Sequence, residues 1–379
     1  MKLIAKLIVG IIAGILIGLM NITIITELMV TVKDIFGQFI GFVIPFIILF
    51  FIASGVSKLG NQSGKMVGFT VGSAYISTLL AGLFAFIVAI TVIPFLNTTE
   101  RSVEEGAGVE GLFALEIAPL MGVITALVMA FLFGIGIAKT KSQTLMNVFD
   151  EGKNIIDLVI SKIIIPFLPV YIAGIFAGLA AEGTVFDTLQ MFGIVLLVVI
   201  VTHWVWLTIQ YVTAGSLAKR NPFSLLKNML PAYFTALGTM SSAATIPVTL
   251  KQVKKNKVKE EVADFAVPLC ATTHLSGSVI TIVACAVAVM SVMGEYTVPT
   301  FGEMIPVILM LGIIMIAAPG VPGGAIMAAL GVLTTMLGFN EAAMGLMIAL
   351  YMAQDSFGTA TNVTGDGAIN ILVDRFAKK

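Results

Sequence analysis

Residues 351–371 read YMAQDSFGTATNVTGDGAINI and grow out of the apolar run GLMIALYMA, as the second half of a membrane-spanning helix would. Yet the stretch carries two carboxylates, Asp355 and Asp366, the amide of Asn362, four serines or threonines and three glycines. Ionisable groups in lipid cost about 2.5–3.5 kcal/mol each even on the mildest scale, so such groups face a bundle interior or a cavity. At about 100° per residue, Asp355, Thr359, Asn362 and Asp366 follow the i, i+4, i+7, i+11 spacing of one helical face. Carboxylate, amide and hydroxyl oxygens on one stripe suit a hard cation or an ammonium group.

The chain around this stretch has 379 residues, 58% of them hydrophobic and 11% charged, with a mean hydropathy of +1.07. Soluble domains carry about 25% charged residues, so the composition excludes that class and gives an all-α polytopic membrane protein. The opening MKLIAKLIVGIIAGILIGLM is too long for a signal-peptide core and has no small-residue cleavage site after it, which reads as a retained first helix. Cys270 and Cys285 sit turns apart in one expected helix and cannot pair. No GxxxxGK[ST] motif supports ATP drive, and nothing points to nucleic acid.

Runs of spanning length fall near 3–25, 38–57, 67–96, 112–137, 155–181, 187–217, 262–293 and 342–373. Two further apolar segments, 222–250 and 300–338, are interrupted by SSAATIP and APGVPGG. Broken backbone is tolerated at membrane depth only where protein or a cavity satisfies it, so both are expected to be re-entrant hairpins, with Pro247 stopping the first. Eight spans and two hairpins then sort the charge: of 21 lysines and arginines only Lys33 and Arg101 face outside and Lys162 lies within a span. That asymmetry puts both termini in the cytoplasm of a plasma or inner membrane. Each hairpin precedes a helix with a similar pentapeptide, His274-Leu-Ser-Gly-Ser278 or Asn362-Val-Thr-Gly-Asp366, and the mouths face opposite sides. Inverted repeats with paired broken segments point to a secondary transporter working by alternating access. Beyond the carboxylates, which could also pair with Lys162, His203 in THWVW reads as a packed residue beside its tryptophans.

Taken together, the serine-rich tip Ser241–Pro247, the tip Pro319–Gly324 and the last-helix series Asp355, Thr359, Asn362, Asp366 resemble the dicarboxylate/amino acid:cation symporter family over essentially the whole chain. That family includes aspartate transporters, excitatory amino acid transporters, neutral exchangers and serine/threonine carriers. The resemblance implies a homotrimer in membrane lipid, with scaffold helices at 1–66, 112–154 and 155–186 and an elevator-like transport domain from 67–111, 187–221 and 222–379. It implies that Asp355 holds a substrate amino group, that Ser242 and Asn362, with backbone at the first hairpin tip, hold the carboxylate, and that Thr359 lines the side-chain pocket, with Ser241, Ser278 and Gly358 as further substrate-site candidates. Val321, Pro322 and Gly323 would form the outer gate. Asp366 with Asn362 would coordinate Na+, Ser77 and Thr78 would supply part of another cation site, and His274 and Ser276 stand at a further candidate cation position, in place of the family's asparagine and aspartate.

Two departures shape the expected function. Acidic-substrate relatives carry an arginine at the position of Gly358 or just before the hairpin serines, where this chain has Met240. An unpaired buried carboxylate costs several kcal/mol, so the expectation is sodium-coupled symport of a neutral amino acid, with Gly358 leaving space for its side chain. The family's N-M-D-G-T becomes His274-Leu-Ser-Gly-Ser278, which replaces an aspartate by Ser276 and lowers the expected number of sodium ions or brings in H+ through His274. The rival readings are a proton- or sodium-coupled acidic amino acid or dicarboxylate symporter, a channel, and an intramembrane protease. The protease would draw on Thr364-Gly-Asp366, or on Leu275-Ser-Gly277 with His203 as base.

Overall fold

The computed structural model describes residues 2–61, 65–96, 109–316, 318 and 322–376. Arg101, Pro319, Gly320, Val321, Lys378, Lys379 and most of the acidic loop after the third expected span lie outside the described residues. The first group of helices is α1 (Lys2–Leu19), α2 (Thr23–Ile47) and α3 (Ala53–Asn61), the last two joined by a π-helical turn at Ile48–Ile52. Then come α4 (Lys65–Leu96), α5 (Val123–Thr140), α6 (Gln143–Val159) and α7 (Ile165–Ala181), with a second π-helical turn at Ile160–Ile164 between α6 and α7. The rest is α8 (Val185–Ala218), α9 (Pro222–Thr239), α10 (Ser242–Lys255), α11 (Glu260–Thr273), α12 (Ser276–Val292), α13 (Phe301–Met315), α14 (Gly324–Leu337) and α15 (Glu341–Phe376). Six helical stretches among the described residues are long and apolar enough to cross a membrane, and the protein is a multi-pass, all-helical membrane protein.

Packing divides the helices into two groups. Helices α1, α2, α3, α5, α6 and α7 lie chiefly on one another, and α4 with α8–α15 do the same. The tightest contact of the first group runs along α1, where a Cβ at Gly10, Gly14 or Gly18 would strike the carbonyl oxygen of Pro169, Ala173 or Ala177 on α7. Small residues at this spacing let helix backbones approach where no hydrophobic drive exists between them. The groups meet along α14 against α2 and α5, and along α15 against α7. In the second group α12 and most of α15 are buried. Their polar residues therefore face protein, as the cost of polarity in lipid requires.

Several expected elements change. The run 112–137 is helical only from Val123, because residues 109–122 form an irregular strap over α2. There the Leu112 N–H donates to Thr31 Oγ1 (2.7 Å) and the Ile117 N–H to Gln38 Oε1 (2.8 Å), which satisfies backbone that no helix serves. The span near 38–57 is part of a helix that begins at Thr23, and that near 155–181 begins at Gln143. Pro247 does not end the first hairpin's helix; it lies inside α10, and the break falls earlier, at Met240 and Ser241. The expected single helix 262–293 is interrupted at His274 (φ −110°, ψ 94°) and Leu275 (φ −118°, ψ 45°). Lys162 is exposed and is not the partner of either aspartate. Both cysteines are free and buried.

Outside the site, α13 opens with a capping box. Thr300 donates from its N–H (2.8 Å) and hydroxyl (2.8 Å) to Glu303 Oε2. These bonds, the backbone one foremost, hold the Glu303 carboxyl below the usual range.

Candidate functional site

The interruption at His274 and Leu275 starts α12 deep inside the protein, where its first N–H groups have no water to turn to. Asn362 of α15 serves them from outside the helix. Its Oδ1 accepts from Gly277 N (2.7 Å) and Ser278 N (3.2 Å), and its Nδ2 donates to Ser278 Oγ (2.9 Å). Close approach of the two helices makes this possible: a Cβ at Gly277 would strike the Gly358 carbonyl oxygen and come within 2.6 Å of Thr361 Cβ. On the far side of the same turn, His203 of α8 puts Nε2 3.0 Å from Gly277 O and 3.2 Å from Thr281 Oγ1. His203 is therefore part of the frame of this break rather than only a packed neighbour of Trp204 and Trp206.

Both hairpin breaks border one small cavity beside this turn. In the first, Met240 adopts the left-handed conformation (φ 53°) and Ser241 caps α10 by accepting from Ala244 N (3.2 Å). Such a cap is worth about 1 kcal/mol. In the second, Gly323 is left-handed (φ 74°), as glycine permits, and its N–H donates to Asp355 Oδ2 at 2.8 Å. Met240, Ser242, Leu275, Ser278, Ala318, Tyr351, Asp355, Thr359 and Asn362 are among the residues lining a cavity of about 20 Å³. That is room for about one water. Asp355 is the only charged residue among the cavity's lining residues and is 4% exposed.

Asp366, three turns along α15, has different company. His274 Nδ1 lies 2.9 Å from Asp366 Oδ1. The other ring nitrogen, Nε2, is 3.0 Å from Ser77 Oγ of α4 and 3.4 Å from Gln210 Nε2 of α8, which also donates to Ser77 Oγ (2.9 Å). Gly365 clears the space, since a Cβ there would come within 2.8 Å of both Gln210 Oε1 and His274 Cε1. Ser77, His274 and Asp366 bond in the order of a hydrolase triad, but Ser77 already receives the Gln210 amide. The protease pairing weighed from sequence is absent: His203 is bonded to Gly277 and Thr281, and Ser276 Oγ is buried with no hydrogen-bond partner.

Of the residues named from sequence, Ser242, Ser278, Asp355, Thr359 and Asn362 share the cavity. Ser241 caps a helix beside it, and Gly323 touches Asp355. Gly358 does not line the cavity; a Cβ there would sit 3.3 Å from Thr281 Oγ1, against α12. Thr78 and Ser276 are buried beside the Asp366 cluster's residues in sequence, their hydroxyls without hydrogen-bond partners. Sequence reasoning passed over Gln210 and Tyr351. A glutamine 7 residues after His203 on the same long apolar helix was the available signal for Gln210.

The chain matches the family model described as the sodium:dicarboxylate symporter family over residues 3–376. Among curated relatives, excitatory amino acid transporter 1 of Homo sapiens is 30% identical over 244 residues, 63% of this chain and 44% of that protein. Excitatory amino acid transporter 2 of Mus musculus is 28% identical over 284 residues, 73% of this chain and 48% of that protein. The chain spans about half the length of the curated relatives it matches. A match from end to end, on a chain whose two helical breaks close over an aspartate and an asparagine of the last helix, leaves one assignment: the protein belongs to the sodium:dicarboxylate symporter family.

Proposed function

We propose that this chain is a secondary carrier that couples sodium to the movement of a neutral amino acid. The observation that carries the substrate class is the lining of the cavity, which pairs one carboxylate with hydroxyls, an amide and no lysine or arginine. The ammonium of an amino acid meets Asp355, which now spends Oδ2 on the Gly323 N–H. The α-carboxylate meets the N-terminal end of α10 at Ser242, where helix N–H groups and the helix dipole favour an anion, with Ser278 and Asn362 close by. Thr359 borders the side chain. A side-chain carboxylate would have no cation there, and a buried unpaired charge costs several kcal/mol. The sodium coupling rests on the family.

The packing supports an elevator-like movement. Helices α4 and α8–α15 travel as a transport domain against a scaffold of α1–α3 and α5–α7, sliding on the seams of α14 and α15. Pro322 and Gly323 belong to the tip that lifts from Asp355 to admit substrate, because the cavity beside Asp355 has room for about one water. We place both termini in the cytoplasm and expect a homotrimer joined through the scaffold. One observation favours a second reading, an acidic substrate: the family and the matched relatives are named for dicarboxylates and excitatory amino acids.

Proteoliposome uptake of labelled serine, alanine, threonine, leucine and aspartate, with and without a sodium gradient at fixed pH, separates these. Neutral uptake driven by sodium is expected. Aspartate uptake without neutral uptake would overturn the substrate, and uptake indifferent to sodium would overturn the coupling.

A further inference from the structure

Asp366 and Asn362 are the residues through which a coupling sodium would be expected to bind, and in this chain the Asn362 amide and Asp366 Oδ1 already have partners. The Asn362 side chain hydrogen-bonds to α12: two backbone N–H groups on its oxygen and the Ser278 hydroxyl on its nitrogen. An oxygen that caps a buried helix end is not released without orphaning those donors. The Asp366 carboxylate faces an imidazole, and 1% exposure leaves no solvent to share it. The surrounding bonds fix the ring's orientation. An amide nitrogen only donates, so in the orientation the structure gives Gln210, His274 Nε2 accepts from it and from the Ser77 hydroxyl. Nδ1 then carries its hydrogen to Asp366 Oδ1.

Three side chains from three other helices thus form one directed series, Gln210 to Ser77 to His274 to Asp366, each donating to the next. Gly365 is part of the same construction, because any larger residue would displace both Gln210 and His274. The series ends on Oδ1 of the Asp366 carboxylate, so an imidazole nitrogen occupies one position at which a cation would bind that oxygen. Hard cations need several oxygen ligands, and two of the atoms nearest Asp366 in this series are nitrogens that either donate or are themselves satisfied.

We propose that His274 takes the place of a transported cation at Asp366, so that this protein binds no sodium through that carboxylate and carries one ion fewer than a family member with an oxygen ligand at position 274. The inference deepens the sodium-coupled reading and rests on it only for the choice of ion. Its test needs no substrate. The full chain is purified in detergent, and its thermal unfolding midpoint is followed against sodium concentration, with choline holding ionic strength constant.

Each additional bound ion steepens the rise by about 2 °C per tenfold sodium above its dissociation constant. The His274→Asn variant, which frees Asp366 and offers an amide oxygen, is expected to gain that increment over the wild-type slope. An unchanged slope in a folded variant overturns the proposal. If His274→Asn does not fold, Asp366→Asn is measured instead. A slope equal to wild type is then expected, and a slope shallower by one ion's increment overturns the proposal by showing that Asp366 is a sodium ligand. A wild-type protein indifferent to sodium would sink the coupling proposed above, while the gain in His274→Asn would still stand as the measure of the pair.

Discussion

Asp355 and Asp366 lie on one face of one helix, three turns apart, and are buried to nearly the same degree, 4% and 1% exposed. Their surroundings are opposite. Asp355 borders a cavity and accepts the Gly323 backbone N–H at the second hairpin break. Asp366 is not among the residues lining that cavity and is held by a side chain that is itself held by two others. A carboxylate whose partner is a hinge is free to exchange that partner for a ligand. One whose partner is a braced ring is part of the frame. Burial and sequence spacing treat the two alike, and the difference lies in what stands opposite each.

The sharpest way to break this contrast is to neutralise each in turn. Asp355→Asn keeps an oxygen for the Gly323 N–H but leaves a buried ammonium without a counter-charge, a loss of about 3–5 kcal/mol. Amino acid binding measured by calorimetry is expected to weaken by at least about 100-fold while the unfolding midpoint moves little. Asp366→Asn is expected to do the reverse, exchanging a charge-assisted bond for a neutral one at a cost of about 1–2 kcal/mol in stability, with a smaller effect on affinity. Equal affinity losses in the two variants would erase the distinction.

Next in size is Asn362→Ala, which tests whether the turn between the two aspartates is held by that amide. The substitution orphans Gly277 N and Ser278 N in a buried setting, at about 1–3 kcal/mol each. A clear fall in the unfolding midpoint, read with the substrate absent, is the expected result. Were Asn362 only a substrate ligand, stability without substrate would not change.

The polar stripe of α15, the broken hairpins and the family were legible because they rest on composition and period: charge is too costly in lipid to be accidental, and a face recurs every 3.6 residues. What could not be read was which donors the stripe would meet. His274 was legible as a departure from the family's asparagine, but its bond to Asp366 spans 92 residues of chain, and no local pattern encodes it. The same holds for His203, whose tryptophan neighbours suggested packing while its ring reaches across to Gly277 O. Pro247 misled for a different reason. At the sixth residue of α10 it removes one backbone hydrogen bond without ending the helix, which runs on to Lys255, so the break belongs to the left-handed Met240 instead.

A smaller effect is expected at the hinge on the Asp355 side. Gly323→Ala forces a side chain onto a φ of 74° and brings its Cβ to 2.7 Å from Met352 Sδ. The methionine end can shift, so the main cost is the backbone, about 1–2 kcal/mol. If the tip must hold this conformation to close over substrate, affinity is expected to fall about tenfold, with dissociation faster and association unchanged. An affinity equal to wild type would mean that the tip closes over substrate in another conformation.

The mildest change sharpens the comparison by adding charge on the Asp355 side. An arginine in acidic-substrate relatives would stand at one of two positions here, and the structure treats them differently. Met240 borders the cavity and is close to arginine in length, so Met240→Arg places a guanidinium at the edge of the cavity proposed to hold the substrate. Gly358 is pressed against α12, with Thr281 Oγ1 at 3.3 Å from a first side-chain carbon, and an arginine there must push the two helices apart. Met240→Arg is therefore expected to lower neutral uptake a few-fold and to make aspartate uptake measurable, whereas Gly358→Arg is expected to yield little folded protein. The opposite pattern, with aspartate carried by the Gly358 variant alone, would show that α12 and α15 separate when substrate binds. The cavity bordered by Asp355 would then be only the closed end of a larger site.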